Sequence, residues 1–161
     1  MIKLLSHTSV QPLLDEYTRL EKDIQWTDYG HKGKQTSLQH RTDDDPWTSA
    51  VGKNRGKELE YTNLNPFFKD TIFEEIINEY KLLRTRLMWV GPYACYSMHR
   101  DQTPRIHIPL ITNPECYFVF KNSTIQHMPV GLVYWTDTTQ LHTFMNCSNE
   151  SRLHLIGVVP E

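Results

Sequence analysis

The chain has 161 residues, 39% of them hydrophobic and 22% charged, with a formal net charge of −2. That size and balance fit one domain with a sizeable core, and a charge so near neutral offers no polyanion-binding surface. Apolar runs of only a few residues exclude a spanning helix, and the opening Met1-Ile2-Lys3-Leu4-Leu5 lacks the apolar core of a signal peptide, so a cytoplasmic protein with neither nucleic acid nor membrane as partner is expected.

Val10, Leu13, Leu14, Tyr17 and Leu20 recur at three- and four-residue spacing behind Thr8-Ser9, which predicts a helix near residues 9–22. A polar stretch follows over residues 27–63, too long for a simple connection and of the kind that forms a lid or binding loop. It holds a short candidate strand at Lys34–Gln39, the acidic turn Asp43-Asp44-Asp45 and the segment Gly52-Lys53-Asn54-Arg55-Gly56. Asn65-Pro66 then starts a second predicted helix. Its apolar stripe is Phe68, Ile72, Ile76, Tyr80, Leu83 and Leu87, read as packing against a sheet.

From about residue 87 the period changes to two. Candidate strands are Leu87–Val90, Tyr93–Met98, Arg105–Leu110, Cys116–Phe120, Thr124–Met128, Gly131–Trp135, His142–Asn146 and Arg152–Val159, separated by turn residues such as Asn113-Pro114 and Lys121-Asn122. Many short strands at this spacing predict a sandwich or barrel. The expected class is α+β, mainly β: a cupin-like double-stranded β-helix, or jelly roll, with supporting N-terminal helices. Cys95, Cys116 and Cys147 include no C-x-x-C, so they form neither a disulfide framework nor a zinc site and read as small buried or half-buried side chains.

Within the strands, His99-Arg100-Asp101 is followed by His142 and then Arg152. Two imidazoles and a carboxylate can cap one face of a mononuclear non-haem iron(II) and leave the other positions open. An Arg supplies a fixed cation for the carboxylate of a 2-oxo-acid co-substrate. On extended chain His99 and Asp101 share a face, while His142 must return from another strand. Arg105-Ile106-His107-Ile108-Pro109-Leu110 alternates, with Arg105 and His107 opposite an apolar face. Arg152-Leu153-His154-Leu155 does the same. Either polar face suits the exposed side of an edge strand or a sandwich interior. Inside, an Arg without an anion is costly, and a dicarboxylate co-substrate would satisfy both.

The stretches "MHRDQTPRIHIPLITNPECYFVF" and "MPVGLVYWTDTTQLHTFMNCSNESRLHLIGVV" resemble the aspartyl/asparaginyl β-hydroxylase family, a branch of the 2-oxoglutarate- and Fe(II)-dependent dioxygenases. The pieces run in family order: H-R-D, R-x-H-x-P-L, a Gly-initiated strand, H-x-x-x-N and R-x-H-L. The resemblance implies His99, Asp101 and His142 as iron ligands and Arg152 as partner of the distal carboxylate of 2-oxoglutarate. It implies Arg105 and His107 as further co-substrate contacts, and dioxygen as the second co-substrate. Asn146 matches the family Asn, read here as structural. Trp135 reads as core.

The expected layout is a single domain over 1–161, with 1–90 as helical support and polar substrate loop and 87–161 as the jelly roll carrying the metal site. The expected activity is hydroxylation of an amino-acid side chain, either an Asp- or Asn-type residue in a peptide or a free amino acid such as proline. The substrate is thus a small molecule or a peptide. Trp26, Tyr29, Gln39, Arg41 and Trp47 are the candidate substrate contacts. Two other readings stay open: a jelly-roll binding module without catalysis, and a cupin-like metalloenzyme that uses no 2-oxoglutarate.

Overall fold

The period-two pattern becomes two unequal antiparallel sheets in the computed structural model, which describes residues 1–53 and 56–160. Asn54 and Arg55 of the Gly52–Gly56 segment therefore lie outside the described residues. The elements in chain order begin with β1 (Ile2–His7), α1 (Val10–Leu20), β2 (Thr27–Asp28), β3 (Lys34–Ser37), β4 (Gln39–His40) and β5 (Asn63–Leu64). There follow α2 (Ile72–Glu79), β6 (Leu83–Val90), β7 (Arg105–Ile111), β8 (Cys116–Phe120) and β9 (Ile125–Gln126). The last three are β10 (Leu132–Thr136), β11 (His142–Asn146) and β12 (Arg152–Val158). The large sheet has the order β1-β10-β7-β12-β6-β3-β2, the small sheet β11-β8-β9, and β4 pairs with β5. The jelly-roll expectation holds.

Strict alternation on β7 and β12 gives the large sheet two buried faces. Ile106, Ile108, Leu110, Leu153 and Leu155 pack with Leu87 under Leu13, Tyr17 and Leu20 of α1 and Phe73, Ile76 and Ile77 of α2. Burying each such side chain contributes about 1.5–3 kcal/mol. The opposite face carries Arg105, His107, Arg152 and His154, all at most 5% exposed. It meets the small sheet, where Phe118, Phe120 and Phe144 form a second core with Tyr134 and Met128. The polar face of these strands is therefore the sandwich interior, and not the surface of an edge strand.

Three sequence expectations change. The second helix is shorter: a 3-10 turn at Pro66–Phe68 precedes α2, and Leu83 and Leu87 belong to β6. Helix α2 ends where Lys81 adopts a left-handed φ of 51°. Lys81 N–H donates to Asn78 O at 3.3 Å and Leu82 N–H to Ile77 O at 2.9 Å, a Schellman closure with Lys where Gly is usual. Residues 93–98 form no regular strand. They run beside β11, bridging it at Cys95–Met145 and His99–His142, and they spend one residue more than β11 over that interval, as in a bulge. Finally, the start of the chain is β1, the edge of the large sheet against β10. Among the described residues no helix is long and apolar enough to cross a membrane.

Candidate metal centre

His142 opens β11, and His99 lies directly across from it. His99 N–H donates to His142 O and His142 N–H to His99 O, both at 2.9 Å. Such a reciprocal pair presents its two side chains on one face, and the ring centroids are 4.5 Å apart. Each Nδ1 lies 2.8 Å from a backbone carbonyl, that of Ser97 for His99 and that of Gln140 for His142. A carbonyl only accepts, so each Nδ1 bears the hydrogen and each Nε2 presents a lone pair. Asp101 is tied by its N–H to Thr138 O at 2.9 Å and turns Oδ2 to 3.8 Å from His142 Nε2. One ligand atom from each of the three residues lies within 4.8 Å of the others. It is an irregular backbone, rather than the regular strand expected, that brings His99 and Asp101 together.

His142 is buried and stacks on Phe118 at 5.0 Å and 12°. Burial pushes its pKa below the usual histidine value, against the Gln140 hydrogen bond and the Asp101 charge. The ring is therefore neutral at physiological pH, the state a metal ligand needs. The donor set of two nitrogens and one carboxylate oxygen fits a divalent transition metal with open positions.

Beyond the triad lies Arg152, 1% exposed, with its guanidinium 3.5 Å above the centroid of the Phe144 ring. Its Nε and Nη1 are buried without a hydrogen-bond partner, and no carboxylate lies within 4.0 Å of it among the described residues. Burial pushes its pKa down to about 9, still charged at neutral pH. Both ring nitrogens of His107 are also without a partner. Arg152, His107, Asp101, His99 and His142 line one narrow pocket between the sheets. An unpaired guanidinium and an unpaired imidazole beside a metal-type triad fit the seat of a small anionic co-substrate.

Arg105 differs from expectation. The anion assigned to it from sequence was the co-substrate, whereas in the structure it is paired with protein carboxylates. Glu58 takes Arg105 Nη1 at 2.9 Å and Nη2 in a second, shorter bond, and Asp101 Oδ1 lies 3.2 Å from Arg105 Nη2. Arg84 Nη1 reaches the same Glu58 at 2.7 Å. Burial opposes the Glu58 charge, but Arg105, the Thr103 hydroxyl and Arg84 together hold its pKa below the ordinary value. Glu58 thus ties the polar segment to β6, to β7 and, through Arg105, to Asp101 of the triad.

The residues proposed as substrate contacts mostly serve elsewhere. Gln39 is 3% exposed and bonds Leu82 O, Thr85 N–H and the Thr85 hydroxyl. Arg41 pairs with Asp44 at 2.9 Å and faces Glu60 and Tyr61. Trp47 packs on Phe67 at 4.9 Å and on Phe68 at 6.0 Å. Trp26 lies under Lys34 Nζ. Of the five, only Tyr29 lines the outer cavity of about 650 Å³ that adjoins the triad. That cavity shares Arg86, Met88, Tyr96, His99 and Asp101 with the inner pocket. Arg86 and Tyr96 were missed; Arg84-x-Arg86 repeats the alternating-cation signature of Arg105-x-His107, but within residues assigned to the end of a helix. Asn146 is structural as expected, bonding Gly91 O at 2.9 Å and Glu150 O at 2.7 Å. Trp135 is half-buried beneath Lys3 rather than in the core. Cys95 and Cys147 are exposed, and only Cys116 is buried.

Known proteins share this architecture. A prolyl-4-hydroxylase from Pseudomonas putida superposes with a TM-score of 0.54 at 12% identity, over 99% of this chain and 93% of that one. The DMSP lyase DddQ from Ruegeria pomeroyi superposes with a TM-score of 0.57 at 11% identity, over 98% of this chain and 67% of that one. At such identities the likeness concerns the fold alone. No curated protein sequence matches the chain. The model of the aspartyl/asparaginyl beta-hydroxylase family matches residues 7–159, which include the triad, Arg105, His107 and Arg152. On that match, the chain belongs to the aspartyl/asparaginyl β-hydroxylase family.

Proposed function

We propose that this protein is a 2-oxoglutarate- and Fe(II)-dependent dioxygenase that hydroxylates an amino-acid side chain, in a peptide or in a free amino acid such as proline. The observation that carries the proposal is the convergence of His99, Asp101 and His142 within 4.8 Å beside the unpaired, buried Arg152. Bound there, iron(II) and 2-oxoglutarate would supply the oxidising chemistry, with dioxygen consumed and succinate and carbon dioxide released. The chain does the rest. His99 and His142 offer Nε2 and Asp101 a carboxylate oxygen to the metal. Arg152 receives the distal carboxylate, and His107 offers the N–H of its neutral ring to the same anion. Phe118 and Phe144 keep that end dry, which strengthens each polar contact inside it. The outer cavity admits the primary substrate.

The test is aerobic conversion of 2-oxoglutarate to succinate with Fe(II). His99→Ala and Asp101→Ala are expected to abolish it, and Arg152→Ala to weaken 2-oxoglutarate binding by roughly a hundredfold. Undiminished turnover in the ligand variants would sink the metal assignment; unchanged affinity in Arg152→Ala would sink the co-substrate assignment. Offering peptides and free amino acids separately and seeking a mass gain of one oxygen atom distinguishes the substrate classes.

A further inference from the structure

Three arginines on β6 and β7 line the two cavities, Arg84 the outer one, Arg105 the inner one and Arg86 both, and they are not equivalent. Arg84 and Arg105 share the Glu58 carboxylate, and Arg105 also reaches Asp101. Arg86 has no carboxylate within 4.0 Å among the described residues. Its Nη1 donates to Ala50 O at 3.2 Å, and its Nε is buried without a partner. A carbonyl dipole is not a counter-ion, and the one other carboxylate nearby, Asp101, is turned toward His142. One positive charge is therefore left over in a half-buried place, an arrangement that favours an incoming anion.

The position of Arg86 says which molecule would bring that anion. It lines both the inner pocket and the outer cavity, whereas Arg152 lines only the inner one. On paired strands Arg86 stands opposite Ile156 and Arg152 opposite Val90, four residues apart or roughly 13 Å along the strand. Tyr96 and His107 line the inner pocket together with both arginines. Lys32, Lys53 and Arg100 also line the outer cavity, which would draw anions to its mouth.

We infer that Arg86 is the binding residue for a carboxylate of the primary substrate, so that this protein takes a carboxylate-bearing amino-acid unit rather than its neutral amide. The inference rests on the dioxygenase reading for the identity of the inner ligands. Burial and the charges of Arg84 and Arg105 push the Arg86 pKa down to about 9, and a bidentate carboxylate would relieve that strain.

The test uses the full chain loaded anaerobically with Mn(II) and 2-oxoglutarate, titrated calorimetrically with N-acetyl-aspartate amide, N-acetyl-asparagine amide and free proline. The two carboxylate probes are expected to bind roughly tenfold tighter than the neutral amide. Arg86→Gln should erase that preference, leave 2-oxoglutarate affinity within about twofold, and melt no lower than the parent because an uncompensated charge is gone. Arg86→Lys should keep part of the preference, which guards against a folding artefact. Equal binding of carboxylate and amide by the parent protein would overturn the inference, as would a preference that survives in Arg86→Gln. So would loss of 2-oxoglutarate binding in Arg86→Gln with retention in Arg152→Gln, which would make Arg86 the co-substrate anchor. A parent that takes up neither Mn(II) nor 2-oxoglutarate yet prefers carboxylates through Arg86 would support this site while refuting the dioxygenase reading.

Discussion

His99 and His142 offer the same atom to a metal from unequal supports. The His99 ring is exposed and held by one hydrogen bond, to Ser97 O. His142 is 4% exposed and stacked on Phe118. Truncating either is expected to remove metal binding, but the consequences for folding should differ. His99→Ala should melt with the parent in the absence of metal. His142→Ala opens a cavity against Phe118 and should lose about 2–4 kcal/mol. Competition with a chelating dye and a thermal melt on the metal-free proteins read the two effects separately; a His99→Ala protein that melts as low as His142→Ala would refute the distinction. The candidate triad was legible as His99-x-Asp101 followed by His142, and Arg152 because alternation placed it with His154 opposite an apolar face. What neutralises each cation was not legible. Glu58 comes from a segment with no periodicity, so nothing local announced that Arg105 already had its anion while Arg152 and Arg86 did not.

At the scale of elements, the joint between the polar segment and the strands is Glu58. It accepts from Arg84 on β6 and Arg105 on β7 while 3% exposed. Breaking a buried pair from one side strands the opposite charges, so Glu58→Gln is expected to lose about 3–5 kcal/mol and to loosen Asp101 through Arg105, lowering metal affinity. Chemical denaturation alongside metal titration checks this, and Glu58→Asp should recover part of both. Full stability in Glu58→Gln would show that the two arginines find other partners. A second joint is the turn between α2 and β6. Leu83 and Leu87 were assigned to the helix because residues four apart share a face on a helix and on a strand alike, so the stripe could not show where one ended. The usual stop signal, a Gly after the last turn, is absent, since Lys81 takes the left-handed position itself. That conformation is unfavourable for a residue with a Cβ, so Lys81→Gly should stabilise by roughly 0.5–1 kcal/mol, or about 1–4 °C in melting temperature. A lower melting temperature would mean that the Lys side chain earns more through its contacts than its backbone loses.

For the molecule as a whole, the large sheet is buried on both sides: oily toward the helices, polar toward the small sheet. The polar side confines His107 and His154 among like charges. His154 is 1% exposed, lies between His107 and Phe144, and has no partner for either ring nitrogen. Burial first, then Arg152 and the neighbouring imidazoles of His107 and His127, hold its pKa well below the usual value. Burial, Arg152 and Arg105 do the same for His107. In the unfolded chain both rings take up a proton near pH 6.5. The folded protein binds fewer protons there, so the contribution of each neutral ring is fully present above about pH 6.5 and is lost as the pH falls below it, by roughly 1.4 kcal/mol per pH unit for each ring. The metal-free protein should therefore keep a flat stability between pH 8 and 7 and lose it steeply toward pH 5. His154→Met removes one of the rings while keeping an apolar side chain against Phe144. Its stability should fall less steeply, by roughly 1.4 kcal/mol per pH unit, so the variant should gain on the parent as the pH drops. Denaturant midpoints measured across that range in the presence of a chelator decide it: parallel curves for parent and variant would mean that His154 is not held neutral by the sandwich interior.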